Sequence, residues 1–105
     1  MIDVGEWLAS RSPAPPADLS NRMSSLVGAK QCADESEMAA LFIHAAAGLL
    51  ASLSDDRLAA YDLLTADALV TYAMEASADD PSRLDAAASL AMQALSAVSS
   101  RGGQA

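Results

Sequence analysis

The clearest pattern of apolar and polar positions lies in the last third of the chain, where both kinds of residue recur at spacings of three or four. The apolar positions are Leu84, Ala87, Ala88, Ala91, Leu95 and Val98, and the polar positions on another face are Asp85, Ser89, Gln93, Ser96 and Ser100. This periodicity predicts an amphipathic helix that packs on one side. Asp80 followed by Pro81 favours a helix start, and Gly102-Gly103 is typical of a helix end.

Two further long helices are predicted in the middle of the chain. The first begins at Asp34, has Glu37 at the third helical position and runs to about Leu53. Its large apolar residues cover most of the helix circumference, which indicates neighbours on several sides. The second begins with Ser54 as N-cap and runs to about Ala78, with acidic residues in its first turn that suit the helix dipole.

The first 30 residues predict two short helices separated by a proline-rich segment. Residues 2–11 can form the first, since Asp3 and Glu6 have the spacing of a capping box. Prolines at positions 13, 15 and 16 stop this helix, because proline lacks a donor and extends the residue before it. Asp18 can cap the second helix, whose apolar residues lie on one face.

Composition and these patterns together predict an all-α fold: a compact antiparallel helical bundle with three long helices plus two short N-terminal helices. Alanine accounts for 25 of the 105 residues, and helix formers far outnumber strand formers. We expect one domain over residues 1–101, in which residues 2–16 form an N-terminal helix and hinge that is a candidate docking arm. Residues 102–105 are expected to be a flexible tail. Alanine at facing positions predicts close helix axes and a thin core that self-association would supplement.

Charge and cysteine content exclude several classes of function. The formal net charge is -8, and the six basic residues form no cluster in sequence, so no nucleic-acid surface is expected. The lone cysteine and the acidic N-terminus favour a cytoplasmic protein over a secreted one. Residues 38–54 carry no formal charge, but the run contains His44 and is bordered by acids. It is therefore predicted to be a core helix, and a membrane role is disfavoured.

The sequence lacks the motifs of common catalytic and metal sites. Leu41 occupies the position three residues before His44 where a di-iron bundle has glutamate, and one histidine with one cysteine cannot complete a zinc site. The five glycines form no nucleotide-binding loop. We therefore expect no catalytic residue, no metal ligand, no cofactor and no enzymatic activity.

Two polar residues form a candidate buried pair. Asp67 lies among apolar helical neighbours, where a carboxylate is costly unless it is paired or hydrogen-bonded. In an antiparallel hairpin of helices, His44 lies within reach of it. The alternatives are an exposed His44, and an Asp67 that is exposed or bonded to Thr71.

Four residues are candidates for contact with a partner: Trp7, Leu8, Tyr61 and Tyr72. Trp7 either folds back onto the chain's own core or reaches into a groove of a partner or sister subunit. The two tyrosines are eleven residues apart and share one helix face, a spacing typical of core or subunit contacts.

The function expected from the sequence is that of a small acidic helical protein that acts through protein–protein contacts. It would be a homo-oligomer, or an adaptor or regulatory subunit for another protein. The alternative is a carrier that holds a small apolar ligand between the helices, near Met38, Phe42, Tyr61 and Tyr72.

Overall fold

A helical bundle with one short strand pair makes up the part of the chain that the computed structural model describes, residues 1–52 and 58–103, with side chains described for residues 1–52 and 60–97. In chain order the elements are β1 (Ile2–Asp3), α1 (Val4–Ala9), α2 (Ala17–Val27), β2 (Gln31–Cys32), α3 (Glu35–Ala51), α4 (Leu58–Ser77) and α5 (Pro81–Gly103). The predicted all-α class, with three long helices that pack together after two short ones, is confirmed.

Within the described residues, aspartates cap α1, α3 and α5, as their positions in the sequence predict. Asp3 and Asp34 each accept a hydrogen bond from the backbone N–H three residues later, at 3.1 and 2.9 Å. Asp80 accepts one from the N–H two residues later, at 2.9 Å. The Glu37 carboxylate reaches back to the N–H of Ala33 at 2.6 Å. The bonds to the three aspartates satisfy donors that a helix start leaves without an intrahelical partner.

The helix ends differ from prediction at α1, α2 and α5. Helix α1 spans Val4–Ala9 instead of the predicted residues 2–11, because Ile2 and Asp3 pair as strand β1. The N-cap of α2 is Pro16, and Asp18 lies in the first turn, where its charge suits the helix dipole. Helix α5 continues to Gly103, so the predicted end before Gly102 is wrong. A glycine costs only about 1 kcal/mol in a helix, which is too little to end a long one by itself. Ser54, predicted as the N-cap of α4, and residues 104–105 of the predicted tail lie outside the described residues.

A two-residue strand pair ties the N-terminus to the segment between α2 and α3. Ile2 pairs with Cys32 and Asp3 with Gln31 in antiparallel register. Strands this short show no alternation in sequence, so the pairing was not predicted. Together β1, α1, α2 and β2 form what we call the N-terminal layer, residues 1–32.

Helix α3 lies at the centre of the bundle. It packs extensively on α4 and on α5, whereas α4 and α5 contact each other less. The N-terminal layer contacts α3 and α4. The largest fully buried side chains come from this layer and from α3 and α4: Val4, Met23, Val27, Met38, Phe42, Ile43 and Leu69. Within the described part of the chain, no helix combines the length and apolar character needed to cross a bilayer.

Helix α5 packs through small side chains. Ala87 and Ala91 are buried, whereas Leu84 and Leu95 are 38% and 40% exposed. The predicted apolar face is therefore only partly covered. Alanine lets the helix axes approach closely, and leucines at the edges of the alanine contact then project past the neighbouring helix.

Candidate interaction surface

Trp7 lies against the chain's own core. Its ring centroid is 5.7 Å from that of Phe42 and 6.0 Å from that of Tyr72, the latter in edge-on geometry. The Arg11 guanidinium lies 3.9 Å from the Trp7 ring centroid, within the range of a cation–π interaction. Trp7 therefore folds back onto the chain's own core, which is the first of its two predicted alternatives.

Polar contacts hold α1 in this position. Arg11 pairs with Glu75 of α4 at 3.1 Å and donates a hydrogen bond from Nε to the carbonyl oxygen of Trp7 at 3.0 Å. Leu8 is only 7% exposed and belongs to the core. The apolar side chains of α1 are therefore used inside the fold, which is the alternative to the docking arm considered for residues 2–16.

The two tyrosines of α4 also face the chain itself. The Tyr61 hydroxyl donates to the carbonyl oxygen of Asp18 in α2, and Tyr72 lies against Trp7. Next to Tyr61, Asp62 pairs with Arg22 of α2 at 3.4 Å. All four predicted partner-contact residues are thus used inside the fold. Leu8 is buried in the core, and Trp7, Tyr61 and Tyr72 join the N-terminal layer to α3 and α4.

His44 and Asp67 do not form a buried pair. Both side chains are exposed, and they border different depressions in the surface. Leu63 and Leu64, which made the surroundings of Asp67 look apolar in sequence, are themselves exposed. The expected desolvation of the carboxylate is therefore absent, and that hypothesis is wrong.

The depression beside His44 brings a thiol, an imidazole and a carboxylate together. Its volume is about 320 Å³, and Cys32, Glu37 and His44 line it. Burial, and then the nearby carboxylates of Glu37 and Asp34, raise the pKa of the Cys32 thiol. A protonated thiol is a poor nucleophile. Within the described part of the chain, no three His, Cys, Asp or Glu side chains are grouped to hold a metal ion.

A second cavity, of about 210 Å³, lies between α3 and α5, and four of its eight lining residues are alanines. Arg83 at its edge is held by Glu35 at 2.7 Å and lies 3.8 Å from Asp80. The hydrogen bond from its own backbone, and then the bond from Arg83, lower the pKa of Glu35. The cavity is thus lined mainly by small side chains, and the Arg83 guanidinium at its edge is already held by carboxylates.

The third depression is an open apolar groove of about 240 Å³ between α4 and α5, which we call the α4–α5 groove. Its lining residues are Leu50, Leu63, Ala66, Asp67, Val70 and Leu95. Ala66 is buried, and Leu50 and Val70 are half-buried, so these three form the floor. Leu63 and Leu95 are 48% and 40% exposed and face the groove from opposite helices.

The apolar character continues beyond the groove itself. Met92 is 72% exposed and lies three residues before Leu95, on the same side of α5. Val70 and Met74 continue the side of α4 that carries Leu63, at spacings of seven and four residues. This surface, rather than the aromatic residues, is where the described chain exposes large apolar side chains side by side.

Comparisons with known proteins find no match for this chain among family models, curated proteins or solved structures.

Proposed function

We propose that this protein is a non-enzymatic binding module that holds a helix of another protein in the α4–α5 groove, as an adaptor or regulatory subunit does. The observation that carries the proposal is the pair of half-exposed leucines, Leu63 and Leu95, that face one apolar groove from two helices. Apolar surface of this kind, bordered by polar residues, is typical of contact sites.

The groove suits an α-helix because two neighbouring helices form its walls. An amphipathic helix binds such a groove by placing apolar residues at spacings of three and four into it. Covering the exposed half of each leucine contributes roughly 1 kcal/mol. The floor residues are already packed on the bundle, so the site needs little reorganisation before binding.

The packing of the core favours this proposal over a carrier of a small apolar ligand. Met38 and Phe42 are fully buried, and the indole of Trp7 lies against Phe42. The Tyr61 hydroxyl is bonded to α2. The space that the carrier hypothesis requires is occupied by the chain's own side chains.

The surroundings of Cys32 support the non-enzymatic part of the proposal. Burial and two carboxylates favour the protonated thiol. Glu37, which lines the same depression, is engaged by the backbone N–H of Ala33. A nucleophilic mechanism needs the opposite arrangement, in which a positive or basic neighbour stabilises or generates the thiolate.

Site-specific photo-crosslinking in the cells that make the protein tests the proposal. A photoreactive amino acid replaces Leu95 in one variant and Gln93 in the control, since Gln93 is exposed on the other side of α5. We expect a crosslink to a second protein from position 95 and none from position 93. The crosslinked protein, once purified, should bind the wild-type chain about fivefold or more tightly than the Leu63→Ser variant.

Three results would contradict the proposal. Crosslinking from neither position would leave the groove without a partner, and equal crosslinking from both would indicate non-specific contact. Crosslinking of position 95 only to another copy of this chain would identify a homo-oligomer in place of an adaptor.

A further inference from the structure

One carboxylate lies inside the apolar α4–α5 groove. Asp67 is the charged member of the lining set, flanked by Leu63 and Val70 on its own helix. It is exposed in the free protein and therefore hydrated. Among the described residues, three acids of the bundle are held in ion pairs between elements, namely Glu75 by Arg11, Asp62 by Arg22 and Glu35 by Arg83, and Asp67 is in none of these pairs.

Any helix that binds in the groove displaces water from this carboxylate. A helix that covers Leu63 and Leu95 also removes water from Asp67, which lines the same groove. Desolvating a carboxylate costs several kcal/mol unless a counter-charge or hydrogen-bond donor replaces the water. For a purely apolar helix, this cost would offset much of the binding free energy that covering the two leucines contributes.

A second copy of this chain fits the groove poorly. A symmetric dimer uses the same patch on both subunits, so each Asp67 would be desolvated in the same interface. Each chain also carries a formal net charge of -8. Repulsion between like charges thus opposes self-association through this surface.

From the position of this charge we infer that the α4–α5 groove binds a cationic amphipathic helix of another protein. The apolar residues of that helix lie against Leu63, Val70 and Leu95, and one of its lysine or arginine side chains meets Asp67. The inference rests on the proposed function and names the class of partner. The overall negative charge of the chain would also accelerate association with such a helix.

Two synthetic peptides serve as probes. Each is a helix-forming sequence of about 18 residues, or five turns, with leucines along one face. One has lysine and the other glutamate at the centre of that face, and they are otherwise identical. Both are titrated into the ¹⁵N-labelled full chain. We expect the lysine peptide to bind about tenfold more tightly, with the largest amide shifts at Leu63, Val70 and Leu95.

Charge exchange in the protein separates Asp67 from the net charge. Asp67→Lys should reverse the peptide preference, and Asp67→Asn should abolish it. Asp79→Lys is the matched control, because Asp79 is an exposed acid in the turn after α4 and its replacement changes the net charge equally. If Asp79→Lys alters the preference as much as Asp67→Lys does, overall charge explains the selectivity and the inference is overturned.

The remaining outcomes separate the inference from the proposed function. If both peptides shift the groove amides with equal affinity, the inference fails while the groove remains a helix-binding site. If neither peptide shifts these amides, both fail. If the wild-type chain is a dimer by sedimentation and Leu95→Ser makes it monomeric, the occupant is a second copy and the inference is wrong.

Discussion

The N-terminal layer and the α4–α5 groove lie on different sides of α4 and use their side chains in opposite ways. Toward the N-terminal layer, Tyr61, Tyr72 and Glu75 are all engaged by residues of that layer. Toward α5, Leu63 is half-exposed and lies in an open groove. Helix α4 therefore has a closed side, which the N-terminal layer covers, and an open side, which borders the α4–α5 groove.

The difference shows that the kind of residue does not by itself indicate a contact site. Aromatic residues are enriched at interfaces, which made Trp7 and the tyrosines the natural candidates. In this structure they pack the N-terminal layer on the bundle, because a helix as short as α1 needs large side chains to cover α3 and α4. The open surface consists of leucines that the alanine-rich α5 does not cover.

The largest effect should come from the closed side. Trp7→Ala removes contacts with Phe42 and Tyr72 and the cation–π interaction with Arg11, and we expect it to lower the free energy of unfolding by about 3 kcal/mol. Leu95→Ala, on the open side, should cost about 0.5 kcal/mol, since the leucine is already 40% exposed. Equilibrium urea unfolding of the two variants measures both values.

Trp7→Phe is the control for the aromatic contact. It should lower the free energy of unfolding by only part of the amount that Trp7→Ala does. Equal losses for Trp7→Ala and Leu95→Ala would mean that the two sides of α4 are packed alike, and the comparison would fail.

Two glycines provide a second test of closed against open regions. A Cβ at Gly5 would lie 2.9 Å from the carbonyl oxygen of Gly28, a backbone atom that cannot rotate away. Gly5→Ala should therefore destabilise the protein by about 1 to 3 kcal/mol, as α1 is pushed off the end of α2. Gly48 in α3 is exposed and a Cβ there meets nothing within 4 Å. Gly48→Ala should stabilise the protein by about 0.5 to 1 kcal/mol through helix propensity.

Thermal unfolding of the two alanine variants and the wild type measures these opposite changes in stability. A neutral or stabilising Gly5→Ala would show that α1 can shift without loss, and would remove the argument that the N-terminal layer is tightly fitted.

The features that sequence predicts well are local ones. The capping aspartates Asp3, Asp34 and Asp80 act on backbone groups two or three residues away, so their positions alone indicate helix starts. The pairing of Ile2 with Cys32 joins segments 30 residues apart, and neither segment carries a pattern of its own. Such a pairing depends on the tertiary fold.

The candidate site was harder to predict because α4 is apolar on several sides. Leu63, Leu64, Leu69 and Val70 lie around the helix, and sequence does not tell which of them a neighbour covers. Leu69 is fully buried and Leu64 is 61% exposed. The outcome depends on where α5 lies, and α5 packs through Ala87 and Ala91. The useful signal was the alanine content itself, since a small contact face leaves leucines on its flanks uncovered.

The smallest effect concerns Cys32, at the inner edge of the N-terminal layer. Burial, and then Glu37 and Asp34, raise the pKa of its thiol above the ordinary value of 9.0. The unfolded chain therefore releases this proton at lower pH than the folded chain does. The thiol's contribution to stability is fully present below the unfolded pKa and is lost as the pH rises through the folded pKa.

Cys32→Ala should remove this alkaline loss. Urea unfolding of the variant and the wild type from about pH 8 to about pH 11 spans the titration. All other ionisable groups are common to both proteins, so the difference between the two curves isolates the thiol. We expect the wild-type advantage from better packing at pH 8 to shrink as the pH rises. Parallel curves would mean that the thiol ionises as easily in the folded chain as in the unfolded one, and that β2 is less closed to water than its burial indicates.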